Sequence, residues 1–179
     1  MARSVTARAN STLLATLTNT VDVSSAGAQC VFDPTLLNIA WSSGTGADQC
    51  NTVFGDDVTL AASTNSDIDL YDFGGGNDAM GVAITNSKAK LILFRNTTAN
   101  GTDAKFTLGG QSIGTTAFNS IFNASDTAEF GPITPGGVFM IVLPDATGAA
   151  VADTTNHVLR VRNTGSASGT FSYLILGVQ

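Results

Sequence analysis

From residue 56 to the last residue, the chain reads as short runs of β-prone residues separated by Gly, Asn, Asp and Thr clusters. No stretch keeps a helical apolar spacing for long; the segment Ala117–Phe122 has room for one turn. Such punctuation at strand-length intervals constrains the chain to a sandwich or barrel. The runs Asp57–Ala62, Asp67–Phe73, Gly81–Thr85, Ala89–Arg95, Ala104–Leu108, Glu129–Ile133, Val138–Leu143, Val158–Arg162 and Thr170–Leu176 are read as strands. Successive side chains of a strand point to opposite faces. In Ala104–Leu108, Ala104, Phe106 and Leu108 therefore share a face, and in Val158–Arg162, Leu159 and Val161 do. The expected fold is all-β: an antiparallel, jelly-roll-like β-sandwich over 56–179, with an N-terminal arm.

Two runs break the alternation. KLILF at 90–94 and VFMIVL at 138–143 are apolar on both faces. Antiparallel sheets usually wet one face, and large exposed apolar patches are rare on monomers. One face of each run fills the core. The other is expected to be covered by the N-terminal region, by the cysteine segment or by another subunit. Leu91, Leu93, Phe94, Val138, Phe139 and Ile141 are the candidate interface residues.

The remainder divides in two. Residues 1–28 are rich in Ser, Thr, Asn and Ala, and carry Arg3 and Arg8 followed by Leu13, Leu14 and Leu17. They read as an arm, extended or partly helical. Alone, such a segment buries too little to offset its ordering entropy, so these five residues are the candidate anchors to a partner. The alternative is a frayed terminus. Residues 29–55 hold Cys30, Cys50 and Trp41 among turn clusters and read as an irregular segment, in which FDPTLLNIAW at 32–41 could form a strand or an irregular cover. A Cys30–Cys50 disulfide would contribute about 3 kcal/mol; two free buried thiols are the other reading. Two Cys and one His do not make a four-ligand zinc site.

Function classes narrow by charge. Net charge is −6, with 8 Lys and Arg in no dense run, which disfavours nucleic acid as a partner. Charged residues are 12% against about 25% in average domains, a neutral hydroxyl- and amide-rich surface of the kind that packs on protein. No apolar run reaches the ~20 residues of a membrane span, and none forms a secretory core near the start. The chain is expected to be made in the cytoplasm.

Catalytic motifs are sparse. His157 is the only histidine and sits beside a strand, where packing explains it. The run GSASG at 165–169 has Ala where a nucleophile elbow needs Ser. Asp67, Asp69 and Tyr71 share a strand face, an arrangement that suits glycoside hydrolysis or calcium and equally a solvated face. Gly74–Asp78 echoes one turn of a calcium-binding repeat, yet a single copy is a glycine-rich turn. Sequons at Asn10, Asn96, Asn100 and Asn123 are expected by chance in so Asn- and Thr-rich a chain. No enzyme activity and no cofactor are expected.

The succession KLILFRN at 90–96, TLGG at 107–110, PGGVFMIV at 135–142, DATG at 145–148, VLRVRNTG at 158–165 and the closing strand Gly169–Gly177 resembles small jelly-roll virion proteins of tailed bacteriophages, among them capsid decoration (cement) proteins. The likeness covers about residues 56–179. It implies a homotrimer on the capsid exterior, bound to the major capsid protein and stabilising the head shell. A tail-fibre, receptor-binding or carbohydrate-binding module is the alternative.

Overall fold

The computed structural model describes residues 5–12, 15–19, 28–32, 35–78, 81–110, 113–122 and 127–179; side chains from 11 to 37 are outside the description. The strands are β1 (Ala7–Thr12), β2 (Ala15–Asn19), β3 (Ala28–Phe32), β4 (Thr35–Ser43), β5 (Gln49–Cys50), β6 (Thr52–Leu60), β7 (Asn65–Asp69), β8 (Lys88–Asn96), β9 (Phe106–Gly109), β10 (Glu129–Ile133), β11 (Val138–Val142), β12 (Ala149–Ala150), β13 (Val158–Asn163) and β14 (Gly169–Val178). No α-helix occurs among the described residues; a 3-10 turn spans Gly114–Thr116, just before the stretch expected to coil.

The pairing is that of a jelly roll. β6 pairs β14, β7 pairs β13, β8 pairs β11 and β9 pairs β10, all antiparallel. The first half of the sandwich thus pairs with the second half in reverse order. This long double strand then wraps on itself, because β14 also pairs β8 and β13 also pairs β9. Two sheets result, β11-β8-β14-β6 and β10-β9-β13-β7. The expected antiparallel sandwich is the observed one.

Alternation fills the space between the sheets. Leu159 and Val161 of β13, Phe106 and Leu108 of β9, Ile92 and Phe94 of β8, and Phe171 and Ile175 of β14 are all buried in one cluster. At its centre Phe94 stacks on Phe171 with centroids 4.8 Å apart, and Phe106 from the facing sheet meets both edge-on at 5.9 and 5.3 Å. Such aromatic pairs contribute about 0.5–1.5 kcal/mol each beyond their buried area.

Three fully or almost fully buried asparagines close the corners where the chain passes between sheets. Asn96, at the end of β8, donates from Nδ2 to the Ala104 and Ile133 carbonyls at 3.0 Å each, and its Oδ1 accepts the Thr98 N–H at 3.1 Å. Asn163, at the end of β13, donates to the carbonyls of Leu60, Ala61 and Ala167 at 3.4, 3.2 and 2.8 Å and accepts from Gly165 N–H at 3.0 Å. Asn86 donates to the Leu70 carbonyl at 2.9 Å and accepts the Thr52 hydroxyl at 2.5 Å. Beside Asn86, Gly177 leaves no room for a side chain: a Cβ there would lie 2.6 Å from Asn86 Oδ1 and 2.7 Å from Thr52 Oγ1.

Three expectations are corrected. Residues 29–55 are not irregular: β4 is a long strand that pairs antiparallel with β1 and, at Ser42 and Ser43, parallel with β5. β1 lies inside the expected arm, and its register Ala7↔Trp41 and Ala9↔Ile39 makes it a ribbon rather than a free tail. Gly81–Thr85 forms no strand; it contributes a single bridge, Asn77 to Ala83, because its glycine-rich neighbour turns the chain too tightly for a ladder.

The corner asparagines generate a stability prediction. Asn163→Ala leaves several buried carbonyls without a donor, at about 1–3 kcal/mol for each group stranded. Chemical denaturation is expected to give a loss on the order of 3 kcal/mol for Asn163→Ala or Asn96→Ala. The exposed Asn100→Ala should stay within about 0.5 kcal/mol of the parent.

Candidate functional site

Two surfaces carry the chemistry worth weighing: the outer face of the β11-β8-β14-β6 sheet, and the edge where β6 and β7 lie side by side. The first is built in rows, because cross-strand partners share a face. Val142, Leu91, Leu176 and Val53 form one row; Met140, Leu93, Leu174 and Gly55 the next; Val138, Arg95, Ser172 and Asp57 the third. The first row is covered by the chain itself. Trp41 of β4 and Cys50 of β5 pack on Leu91 and Leu176, with Val5, Ala7, Ala9 and Ile39 alongside.

This cover is pinned at one end by Lys90. The lysine is the extra residue where the β8–β14 register slips between Leu176 and Gly177, a bulge that re-aims a side chain. Its buried amine donates to the carbonyls of Gly46, in the β4–β5 loop, and Asp145, after β11. Burial pushes the amine's pKa down and the Asp145 carboxylate partly restores it. The Asp48 N–H donates to the Pro144 carbonyl at 2.7 Å across the same seam.

The cover stops at the second row. Met140 is 39% exposed, Leu174 36% and, one row on, Val138 57%. Gly55 makes this row shallow; a Cβ there would meet Leu174 Cδ1 at 3.2 Å. Around the β11 edge, Phe130 is 47% exposed and packs on Phe139 with centroids 4.7 Å apart. An apolar strip therefore continues outward from a layer that the chain has already covered.

The interface residues read from sequence divide accordingly. Leu91 lies under the chain's own cover, and Leu93 is half-buried at its margin. Phe94 is in the central core, with Phe139 and Ile141 packed against it, so these three are corrected from interface to interior: their register places them on the inward side of β8 and β11. Val138 is the most exposed of the six. Met140 and Leu174 were missed, since the two-faced apolar runs do not say which face is outward.

Among the arm residues, Arg8 is exposed on β1, donating to Asn10 Oδ1 at 3.2 Å and Asn38 Oδ1 at 3.1 Å. Leu17 falls on β2, opposite Cys30 of β3. Arg3, Leu13 and Leu14 lie outside the described residues. The expected Cys30–Cys50 bridge is corrected: Cys50 is a free thiol, fully buried against Trp41 and Leu91, and burial raises its pKa. Cys30 belongs to the separate β2–β3 sheet.

The β6/β7 edge is acidic, with Asp56 and Asp57 on β6, Asp67 and Asp69 on β7 and Asp72 in the turn beyond. A cleft of about 140 Å³ opens here, lined by Asp67, Asp69, Phe73 and Tyr173 among others. The Asp67 carboxylate is held bidentately by Arg160 at 2.7 and 2.8 Å. Asp69 accepts the Tyr71 N–H at 2.8 Å, and its other oxygen is 3.0 Å from His157 Nδ1, close but not aligned as a hydrogen bond. Both acids thus face donors of their own chain. Small-molecule pockets run about 300–1,000 Å³, so this cleft takes one small group. Among the described residues no cluster of His, Cys, Asp and Glu is placed to hold a metal, and the Gly74–Asp78 segment is a turn in which Asp72 caps the Gly74 N–H at 2.8 Å. Asn96, read as a possible sequon, is fully buried in the corner described above.

No family model matches the chain, and no curated protein matches it either.

Tyr173 gives the cleft a titration signature. Burial, reinforced by the Asp56 carboxylate, pushes its phenol from the ordinary 10.0 up to about 12. A phenol held protonated in the fold stabilises it fully below the unfolded pKa, and that stability is lost as pH rises through the folded one. In Tyr71→Phe, the ultraviolet ionisation signal belongs to Tyr173 alone. Its midpoint is expected near 12, with thermal stability falling between about 10 and 12; a midpoint near 10.0 contradicts the described environment.

Proposed function

We propose that this chain is a structural subunit of a tailed-phage virion, a decoration protein that binds the outside of the head shell and stabilises it. The observation that carries the reading is the outer sheet face, where an apolar strip runs out from under the chain's own N-terminal cover. Exposed contiguous apolar surface marks protein contact more often than chemistry. The fold is compatible: jelly rolls recur in viral capsid proteins and in lectins. The resemblance in residues 56–179 points to the first of these, with the major capsid protein as partner and a homotrimer as the bound form.

In this reading the chain performs no catalytic step. The ribbon of β1 and β4 fastens the N-terminal region to the sandwich, and the residues beyond Thr12, including Leu13, Leu14 and Leu17, reach the shell. The acidic β6/β7 edge faces away from it. The cleft with Phe73, Tyr173 and Asp67 favours the alternative of a sugar-binding virion module, because an aromatic wall beside a carboxylate suits a hydroxylated ring.

Immunogold electron microscopy separates the readings. Antibody against the purified chain, applied to particles from the source culture, is expected to label heads over their whole surface. Label confined to tail tips favours the receptor-binding alternative, and particles without label overturn the virion assignment.

A further inference from the structure

The corner asparagines are protected by their bonds, and one surface asparagine is not. Asn100 is exposed in the β8–β9 loop and is followed by Gly101, the single Asn-Gly pair of the chain. The pair forms the centre of a turn: the Thr102 N–H donates to the Ala99 carbonyl at 3.2 Å, and Gly101 has φ +88°. Positive φ at the third residue is the mark of a type II turn, a conformation that glycine takes without strain. The flanks of the loop are tied down. Thr97 N–H and Thr98 Oγ1 donate to the Thr170 carbonyl at 2.9 and 3.2 Å, and Ser166 Oγ donates to the Asp103 carboxylate at 2.8 Å. Between these ties, neither the Gly101 N–H nor the Asn100 carboxamide makes a hydrogen bond among the described residues. The space beside Gly101 is open, since a Cβ there would meet nothing within 4 Å.

We propose that Asn100-Gly101 is a self-modification site, at which the folded chain converts Asn100 to aspartate and isoaspartate without an enzyme. The Gly101 amide nitrogen attacks Asn100 Cγ. The N–Cγ bond forms, the Cγ–Nδ2 bond breaks, and the amide proton leaves with the side-chain nitrogen as ammonia. Solvent water then opens the five-membered imide. Cleavage at Cγ gives aspartate, and cleavage at the Asn100 main-chain carbonyl gives isoaspartate; no atom is oxidised or reduced. The structure selects this asparagine from the rest. Asn86, Asn96 and Asn163 are buried with their amides bonded to carbonyls. Asn10 and Asn65 lie within β1 and β7, where the residue that follows each is held in a ladder. Each conversion replaces a neutral amide with a carboxylate that is ionised at neutral pH, one unit below the −6 of the unmodified chain. Isoaspartate also lengthens the main chain by one methylene, which the loop takes up between its ties to Thr170 and Ser166. The chemistry is independent of the virion reading, and it makes the modified fraction a record of the chain's age.

Peptide mapping tests this. The purified full chain is held folded for weeks in mildly alkaline buffer, where amide nitrogen loses its proton faster, and is sampled by mass spectrometry. The peptide containing Asn100 is expected to gain about 1 Da and to split into two chromatographic species, aspartyl and isoaspartyl. An isoaspartyl methyltransferase with labelled S-adenosylmethionine should mark that peptide, while the peptides of Asn86, Asn96 and Asn163 keep their mass. Gly101→Ala is expected to slow conversion about tenfold or more, because a Cβ hinders the nitrogen's approach and restricts the backbone. Positive φ strains that variant, so Asn100→Gln serves as the second: its ring would need six members, and it should stay unmodified with melting temperature unchanged. An unchanged Asn100 peptide, modification that appears first at another asparagine, or equal conversion in Gly101→Ala overturns the proposal.

Discussion

Side-chain amides at the corners of the sandwich hold the two sheets in register, and every other feature of the molecule is placed relative to them. A jelly roll sends its chain from one sheet to the other at each end, and each crossing interrupts the ladders and leaves carbonyls turned inward. Buried groups of this kind must be paired. Asn96 pairs two of them, Asn163 three and Asn86 one. An asparagine suits the task because it offers two donors and an acceptor from one short side chain. The aromatic cluster of Phe94, Phe106 and Phe171 supplies non-directional burial; the asparagines decide how the sheets are aligned.

The outer face follows from that alignment. With Phe94 and Ile92 directed inward, Leu91 and Leu93 turn outward, and a second, smaller core forms over Leu91 and Leu176. This second core is less well satisfied than the first. The Trp41 indole N–H is buried without a partner among the described residues, and a stranded donor costs about 1–3 kcal/mol. Lys90 and Asp48 compensate at the seam by tying the cover's loop to the β11–β12 connection. The molecule is thus a sandwich carrying a thinner layer that covers part of an apolar face, and the uncovered part is the surface proposed for partner contact.

Much of the sandwich was legible from residues alone. Alternation in Val158–Arg162 and Ala104–Leu108 identified the inward faces correctly; of the doubly apolar runs, the chain covers the second face of 90–94 at Leu91, while Val138 and Met140 of 138–143 stay exposed. The N-terminal strands were not legible. β1, ARANST, has no large apolar residue and becomes a strand by pairing with β4; β4, TLLNIAWSS, carries Leu36, Leu37, Ile39 and Trp41, yet its setting among turn clusters left strand and irregular cover equally open. The corner asparagines were hidden for a related reason: in a chain full of Asn, nothing local distinguishes Asn163, buried and fully bonded, from Asn100 on the surface. For Cys50 the residues left a bridge to Cys30 and a free buried thiol both open, and its setting in the apolar layer with Trp41 is the second.

The proposed contact lies on the outer sheet face, and side-chain reactivity reads this directly. Hydroxyl-radical footprinting of the dilute chain and of the chain on its assembled particle would compare Met140 and Leu174 with Phe73 and Tyr173. The outer-face account predicts that Met140 and Leu174 lose most of their oxidation on assembly while Phe73 and Tyr173 keep theirs. Unchanged oxidation of Met140, with protection moving to Tyr173 and Phe73 at the acidic edge, would contradict it.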